Sequence, residues 1–214
     1  VLSNTAPNDG GGAWVFYAVT VEGGRFQNNS CTVDPCAGGG LFGTDTVAIS
    51  GTQFINNSAV NEGGGVAADT PSLTGVLFLN NTCTAAGSKG GGLMAGQTVA
   101  ITRSQFINNS ADVGGAVDQL GSAPGRIVNS VFARNVARGS DGAALYLGSS
   151  GAVDILHTTI ASPTVGAGSA IYAPAGVVNI TNTLIASYTT GIEQSGGATV
   201  SAWNTLFHAT AVQT

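Results

Sequence analysis

Apolar anchors separated by polar and glycine-rich stretches recur along the whole chain at a spacing of about 26 residues. The clearest copies begin with phenylalanine and have asparagine three residues later, and weaker copies keep only an aliphatic anchor. The anchors are Val1, Phe26, Phe54, Phe78, Phe106, Phe132, Ile160, Ile185 and Phe207. A repeat of this length is typical of a solenoid, in which each copy buries its apolar side chains against its neighbours.

Two alternating apolar residues precede most anchors, seven and five positions earlier. They are Val19 and Val21, Val47 and Ile49, Val99 and Ile101, Val153 and Ile155, and Val178 and Ile180. Three copies depart from the pattern, with Pro71 and Leu73, Gly125 and Ile127, and Val200 and Ala202 at the same places. Alternation with a period of two predicts a β-strand with one face buried.

A glycine-rich element followed by an apolar residue lies between successive anchors, as in Gly38-Gly-Gly-Leu and Gly90-Gly-Gly-Leu. Glycine permits the positive φ angles of sharp turns. Valine, isoleucine and threonine dominate the repeats and helix-capping patterns are absent, which disfavours an α-solenoid. We therefore predict an all-β fold, a right-handed parallel β-helix of about eight coils that occupies residues 1–214 as a single domain.

One asparagine column stands three residues past the anchors. Its members are Asn4, Asn29, Asn57, Asn81, Asn109 and Asn135. Stacked amides can donate and accept hydrogen bonds from coil to coil, so the column predicts an internal asparagine ladder. Pro163, Tyr188 and Thr210 replace it in the last copies, which predicts a differently shaped corner there.

Charge and hydropathy limit the classes of partner that this chain can bind. Only 8% of residues are charged, the net charge is −5, and the six lysine and arginine residues are scattered. This excludes a basic patch that could neutralise several phosphates, so we expect no nucleic-acid partner. The longest apolar run, Ala13 to Val21, is too short for a membrane-spanning helix. The first residue is not Met, so we expect a mature subunit or an excerpt of a longer exported protein.

The motifs resemble those of a known family. Phe-x-x-Asn occurs five times, and Gly-Gly-Ala-Val at residues 114–117 has several Gly-Gly-Gly variants. These repeats are similar to those of the polymorphic outer membrane proteins. The resemblance implies a pectate-lyase-like parallel β-helix that is displayed on a bacterial surface and acts as an adhesin.

Few residues along the chain are candidates for catalysis or metal binding. Asp45 and Asp69 stand nine residues before their anchors in adjacent copies, which makes them the best acidic pair and a weak candidate for Ca²⁺. Two aspartates in loops are more often solvated turn residues. His157 shares a column with arginine and asparagine, which favours a polar turn position over a catalytic role. We predict no catalytic residue, no metal site and no cofactor.

Cysteines and glycosylation sequons complete the inventory. Cys31 and Cys36 bracket a short loop and are candidates for a disulfide, although three free thiols, including Cys83, fit the sequence as well. The sequons are at Asn28, Asn56, Asn80, Asn108 and Asn179. Most of them are by-products of the repeat.

The sequence thus predicts an extracellular or cell-surface structural or adhesive protein. Neither end shows a capping pattern, so we expect self-association, either head-to-tail into a filament or against flanking domains. A glycan or another cell-surface molecule is a further expected partner. The alternative is a carbohydrate-active enzyme, either a polysaccharide lyase or hydrolase, or a glycan-binding β-helix. Three or more clustered carboxylates with an arginine in a groove would favour the enzyme.

Overall fold

The computed structural model describes residues 1–163 and 168–209, and every regular element within those ranges is a β-strand. The strands pair in parallel with the equivalent strands of neighbouring repeats and form three sheets of a solenoid of about eight coils, two of which run along its whole described length. The predicted all-β, parallel solenoid is confirmed. No helix capable of crossing a membrane occurs in these residues.

The first sheet, here called the anchor sheet, carries the repeat anchors. Its eight strands in the described ranges are Arg25–Gln27, Gln53–Ile55, Leu77–Leu79, Gln105–Ile107, Val131–Ala133, Thr159–Ala161, Leu184–Ala186 and Leu206–His208. The anchors from Phe26 to Phe207 are direct Cα partners from coil to coil. Phe26, Phe54, Phe78, Phe106 and Phe132 therefore stack, with ring centroids 4.5–5.0 Å apart and planes within 12°.

The second sheet, the wide sheet, has two strands per coil. The strands that follow the glycine turns include Ala13–Val15, Leu93–Ala95, Val117–Gln119, Leu145–Leu147, Ser169–Ala173 and Thr190–Gln194. Those that carry the alternating pairs include Val19–Glu22, Ala100–Thr102, Gly125–Val128, Ala152–Leu156, Val177–Thr181 and Thr199–Trp203. In two coils the two strands merge, as Leu41–Ser50 and Val66–Thr74. The three weak copies keep the register, because Pro71 pairs with Val47, Gly125 with Val153 and Val200 with Val178.

The third sheet, the serine sheet, is confined to residues 5–141 within the described part of the chain. Its strands are Thr5–Ala6, Ser30–Cys31, Ser58–Ala59, Thr82–Cys83, Ser110–Val113 and Val136–Asp141. Its outward column is largely serine and threonine, and its inward column is small: Cys31, Ala59, Cys83, Ala111 and Ala137. Small residues here leave room for the asparagine column beside them.

Each coil turns at residues with positive φ. One column links the wide sheet to the anchor sheet and contains Gly23, Gly51, Gly75, Arg103, Asn129, His157, Asn182 and Asn204. A second follows the anchor strands and includes Asn28, Asn56, Asn80, Asn108, Arg134 and Ser187. A third begins the glycine turns at Gly10, Gly38, Gly63, Gly90, Gly114, Gly142 and Gly168. Glycine and asparagine recur because they adopt this conformation at least cost.

The three-glycine turns are also forced by close approach. A Cβ on Gly64 would lie 2.5 Å from the carbonyl oxygen of Gly91, and one on Gly65 would lie 2.8 Å from Cδ1 of Phe78. The backbone of one coil therefore rests on the next coil and on the phenylalanine stack. The turn and the stack are parts of one packing arrangement.

Candidate functional site

The asparagine column forms a buried chain of hydrogen bonds. Nδ2 of Asn57 donates to Oδ1 of Asn81 at 3.0 Å and to the carbonyl oxygen of Phe26 at 2.9 Å. Oδ1 of Asn57 accepts from the backbone N and from Nδ2 of Asn29. The same pattern links Asn4 to Asn29, Asn81 to Asn109 and Asn109 to Asn135. The amides from Asn29 to Asn135 are fully buried or nearly so, and their role is structural.

The ladder stops where the sequence predicts. In the described residues its place in the seventh coil is taken by Tyr188, which is fully buried and whose hydroxyl has no hydrogen-bond partner there. Burial raises the pKa of this hydroxyl. Pro163 is exposed, and Thr210 lies outside the described residues.

The sequon asparagines form a second, exposed column. Nδ2 of Asn56, Asn80 and Asn108 donates to Oδ1 of the asparagine one coil earlier, at 3.3, 3.1 and 2.7 Å. Nδ2 of Asn179 donates to Oδ1 of Asp154 at 2.9 Å. Since Nδ2 is the atom that an N-glycan modifies, glycosylation would replace these bonds, and it stays a prediction.

Cys31 and Cys36 are joined by a disulfide that closes the five-residue step between them. Cys83 is a free, buried thiol two coils away, and burial raises its pKa far above the ordinary value. We expect this thiol to be unreactive, because the thiolate is the reactive form.

The predicted acidic pair lies on two adjacent coils, and His157 lies in a later coil. Asp45 and Asp69 are both exposed and lie at a register shift, where Thr44 and Asp45 of one strand stand opposite Asp69 alone on the other. Oδ1 of Asp45 accepts hydrogen bonds from the backbone N and Oγ1 of Thr46, so this carboxylate caps its own turn. Ca²⁺ binding there stays a prediction. His157 is an exposed turn residue with positive φ, which explains why arginine and asparagine share its column.

The outward side of the wide sheet carries a different set of side chains. In register from coil to coil stand Trp14, Phe42, Ala67, Met94, Asp118, Tyr146, Tyr172 and Glu193, here called the outer column. Two aromatic pairs flank the middle of the column: Trp14 lies 6.5 Å from Phe42, and Tyr146 lies 5.3 Å from Tyr172. The smaller or more flexible side chains Ala67, Met94 and Asp118 stand between the two pairs, and Glu193 follows Tyr172.

Asp118 is the unusual member of the outer column. Its neighbours in sequence point inward, yet it is 0% exposed, and neither carboxylate oxygen has a hydrogen-bond partner in the described residues. Burial raises the pKa of this carboxyl from its ordinary 3.8 to about 7. The positive charge of Lys89 lowers this pKa, and the negative charge of Glu62 raises it further. The pKa of Tyr146, directly above, is raised by its own burial and then by the Asp118 charge.

Two cavities adjoin the outer column and share Phe42 and Glu62. One, of about 210 Å³, lies between Phe42 and Met94 and takes in Asp69. The other, of about 420 Å³, continues towards the glycine turns and takes in Asp9 and Asn61. Together they form what we call the acidic groove. A single ion pair, Lys89 Nζ to Glu62 Oε1 at 3.7 Å, partly neutralises it, and both partners are about one third exposed.

The sequence analysis did not single out the outer column. A signal was present, because each member directly follows the apolar residue that ends a glycine turn: Leu41 precedes Phe42, Leu93 precedes Met94 and Val117 precedes Asp118. Since alternate strand residues face opposite sides, the column could have been assembled from the repeat register. The burial of side chains in this column could not have been predicted from the repeat register.

Comparison of the chain with family models, curated proteins and solved structures finds no match. The similarity of the repeats to polymorphic outer membrane proteins therefore stays a prediction, while the parallel solenoid that it implied is present. In the described residues no group of three or more histidine, cysteine or acidic side chains is arranged to hold a metal ion.

Proposed function

We propose that this chain is an extracellular structural or adhesive scaffold, which binds partners on its outer surface and does not catalyse a reaction. The observation that carries the proposal is the continuous interior. In the described residues the interior is filled in register from coil to coil, by phenylalanine rings and the asparagine ladder up to Asn135 and mainly by aliphatic side chains and Tyr188 beyond it, so the inside serves stability. Outward side chains vary from coil to coil and are free to bind.

The disulfide between Cys31 and Cys36 supports an extracellular location, because such bonds persist in oxidising compartments. Parallel coils also favour assembly. Each coil presents the same backbone groups to the next one, so a further coil from a second copy or a flanking domain can stack by the same hydrogen bonds. Head-to-tail filaments are the corresponding assembly.

Two measurements test this proposal. Antibody labelling of intact, unpermeabilised source cells should detect the protein, and beads coated with the purified protein should adhere to target cells or extracellular material. Labelling only after permeabilisation, or no adhesion above uncoated beads, would contradict the scaffold. Electron micrographs of the native protein should show filaments of constant width, and isolated particles at all concentrations would contradict head-to-tail assembly.

A carbohydrate-active enzyme is the second candidate, and Asp118 is the observation that favours it. A carboxyl with a pKa of about 7 is suited to general acid chemistry, and Glu62 lies close enough to affect that pKa. Against catalysis, Asp118 is fully buried and the residues lining the acidic groove include no arginine. Cleavage of a polysaccharide panel by the wild type, lost in Asp118→Asn, would establish the enzyme and overturn the scaffold.

A further inference from the structure

The single lysine of the chain, Lys89, lies in the coil between two carboxyl groups. Its backbone bridges Glu62 of the preceding coil on one side and Val113 of the following coil on the other. Asp118 belongs to the following coil and lies close to that bridge, because a Cβ on Gly114, the residue after Val113, would be 3.0 Å from the Cβ of Asp118. One coil step of about 4.8 Å thus separates Lys89 from the coil of each carboxyl.

The two carboxyl groups differ in exposure and in pairing. Oε1 of Glu62 lies 3.7 Å from Nζ of Lys89, and both side chains are about one third exposed. Asp118 is buried, and neither of its oxygens has a hydrogen-bond partner in the described residues. A protonated carboxyl needs no counterion there, whereas an ionised one without a counterion is strongly destabilising. The position that Lys89 favours therefore depends on the proton of Asp118.

The ionisable groups around Asp118 limit what titrates near it. They are Lys89 and Glu62 from the preceding coils, Tyr146 from the following coil, itself affected by Asp141, and Cys83 from the serine sheet. Burial raises the pKa values of Tyr146 and Cys83, so both stay neutral while Asp118 loses its proton. Burial also raises the pKa of Asp118, and the positive charge of Lys89 lowers it, so the ammonium group lies near enough to act on this carboxyl.

The ion pair between Lys89 and Glu62 is easily exchanged for another one. Exposed pairs contribute little to stability, because solvent screens the charges and ordering both side chains costs entropy. An ammonium group that reaches an ionised Asp118 instead removes the cost of a buried, unpaired charge. The four-carbon stem of lysine is flexible enough to cross one coil step, so the exchange requires side-chain rotation and no change of strand register.

We propose that Lys89 is a pH-driven switch, which pairs with Glu62 while Asp118 is protonated and moves to Asp118 once that carboxyl releases its proton to solvent. Glu62 lines both cavities of the acidic groove, so the move leaves its carboxylate free there at neutral to alkaline pH. At acidic pH the same carboxylate is paired with Lys89. The switch changes the charge that the groove presents, and this inference goes beyond the scaffold function because it holds whichever partner the surface binds.

The test uses the whole chain, in which lysine, glutamate and aspartate are labelled with ¹³C and ¹⁵N for NMR. Because Lys89 is the only lysine, it gives a single set of side-chain signals. We expect nuclear Overhauser contacts from its Hε protons to the Hγ protons of Glu62 at about pH 5, and to the Hβ protons of Asp118 at about pH 9. Its ¹³Cε shift should have an inflection near the Asp118 pKa of about 7. Contacts to Glu62 alone at both pH values would overturn the proposal.

Variants separate the switch from other causes of a shift. Asp118→Asn should keep the contacts between Lys89 and Glu62 at both pH values and remove the inflection, and an inflection that persists in this variant would overturn the proposal. Lys89→Gln should raise the pKa of Asp118, measured from its ¹³Cγ shift, and an unchanged pKa would overturn it as well. Glu22→Gln, which removes an exposed carboxylate from another strand of the wide sheet, is the matched control and should leave the Lys89 titration unchanged.

Release of Glu62 has its own readout. Its ¹³Cδ shift should show a second inflection near pH 7 in the wild type, when Lys89 leaves, and this inflection should be absent in Lys89→Gln. If the second inflection persists without the lysine, Asp118 acts on Glu62 directly and the switch is wrong. Neither measurement uses a partner, so the outcome is independent of the adhesive function.

Discussion

The first five coils and the last three build the same solenoid with different interiors. Residues 1–141 contain the phenylalanine stack, the asparagine ladder and the serine sheet. In the described residues from 142 onward, Ile160 and Ile185 replace phenylalanine and Tyr188 stands in place of the ladder. One backbone register thus accepts either a hydrogen-bonded polar corner or an apolar one.

The glycine turns change together with the interior. A Cβ on Gly115 would lie 2.5 Å from the carbonyl carbon of Val136, because the serine sheet passes directly beside the turn. One coil later Ala143 carries a Cβ at the equivalent position. Glycine is required where the serine sheet is present and is dispensable where it ends. The difference shows that the ladder, the serine sheet and the three-glycine turn occur together and depend on the same packing.

The two tryptophans report on the two regions separately, because Trp14 lies in the first coil and Trp203 in the last one. Single-tryptophan variants, made with Trp203→Phe or Trp14→Phe, allow each region to be followed during denaturation. Solenoids are stabilised mainly by nearest-neighbour contacts, so a change in one region should affect its own reporter first.

The largest expected effect comes from the phenylalanine stack. Phe78→Ala removes a fully buried ring that lies 5.0 and 4.5 Å from its two neighbours, and should reduce the free energy of unfolding by about 3–5 kcal/mol. The loss should appear at lower denaturant for Trp14 than for Trp203. Ile185→Ala is the matched change in the other region, with the opposite order. Identical shifts at both reporters would contradict two distinct interiors.

Protonation of Asp118 should couple the two regions, since this residue lies between Met94 of the first and Tyr146 of the second. Its pKa is raised to about 7, so the folded chain holds a proton that the unfolded chain has released above pH 4. The resulting stability is complete below about pH 4 and is lost as the pH rises through 7, by as much as about 4 kcal/mol.

Asp118→Asn isolates this contribution, because the amide stays neutral at every pH. The variant should match the wild type near pH 4 and exceed its free energy of unfolding at pH 8. In the wild type, the Trp14 and Trp203 transitions should separate at pH 8 and approach one another at pH 4. A difference between variant and wild type that is the same at both pH values would show that Asp118 does not titrate in this range.

The ladder itself should contribute about 3 kcal/mol at an interior position. Asn81→Ala removes the acceptor of the backbone N of Asn57, and it removes one hydrogen bond each from Nδ2 of Asn57, Oδ1 of Asn109 and the carbonyl oxygen of Phe54. A buried group left without a partner costs about 1–3 kcal/mol. Asn80→Gly, one residue away, removes an exposed amide while keeping the positive φ, and should cost less than about 0.5 kcal/mol. Chemical denaturation of both variants checks this, and equal losses would show that burial of the ladder is unimportant.

The smallest effect is expected at the apolar corner. Tyr188→Phe removes a buried hydroxyl that lacks a partner in the described residues, and should stabilise the chain by about 1 kcal/mol. The gain should be confined to the Trp203 transition. Destabilisation would mean that the hydroxyl is hydrogen bonded, and that the last coils satisfy polar groups as the first ones do.

Much of the fold was predictable because stacking imposes one period on every column. Anchors, alternating pairs and ladder asparagines are repeated at equivalent positions, so a register built on Phe26 and Phe54 also places Asn29 and Asn57. The role of the Thr52 hydroxyl was harder to predict from the sequence. This hydroxyl donates to the carbonyl oxygen of Ser50 and so closes the turn that precedes it. Even the weak copies at Pro71 and Gly125 were placed correctly, because the neighbouring coils leave no alternative register.

The acidic groove was less accessible to prediction. Asp9 and Glu62 each directly precede the first glycine of a turn, so the repeat register places them in one column. The register does not show that Asp69, seven residues after Glu62, lines the same groove. Asp45 illustrates the same limit, because its carboxylate is held by Thr46. Loop conformation decides which side chains face a groove, and the loops are the least repetitive parts of this chain.

The sequence by itself determined the parallel coils, their number, the asparagine ladder and the point where that ladder ends, because side-chain periodicity and left-handed turn residues are local properties repeated in every coil. Only the tertiary structure decided that Asp118, an outward residue, is buried without partners in the described residues, and that Asp69 and Glu62 share a groove. Burial and electrostatic coupling depend on which side chains of neighbouring coils lie over a given atom. That arrangement is a property of the stack as a whole and is not encoded in any one repeat.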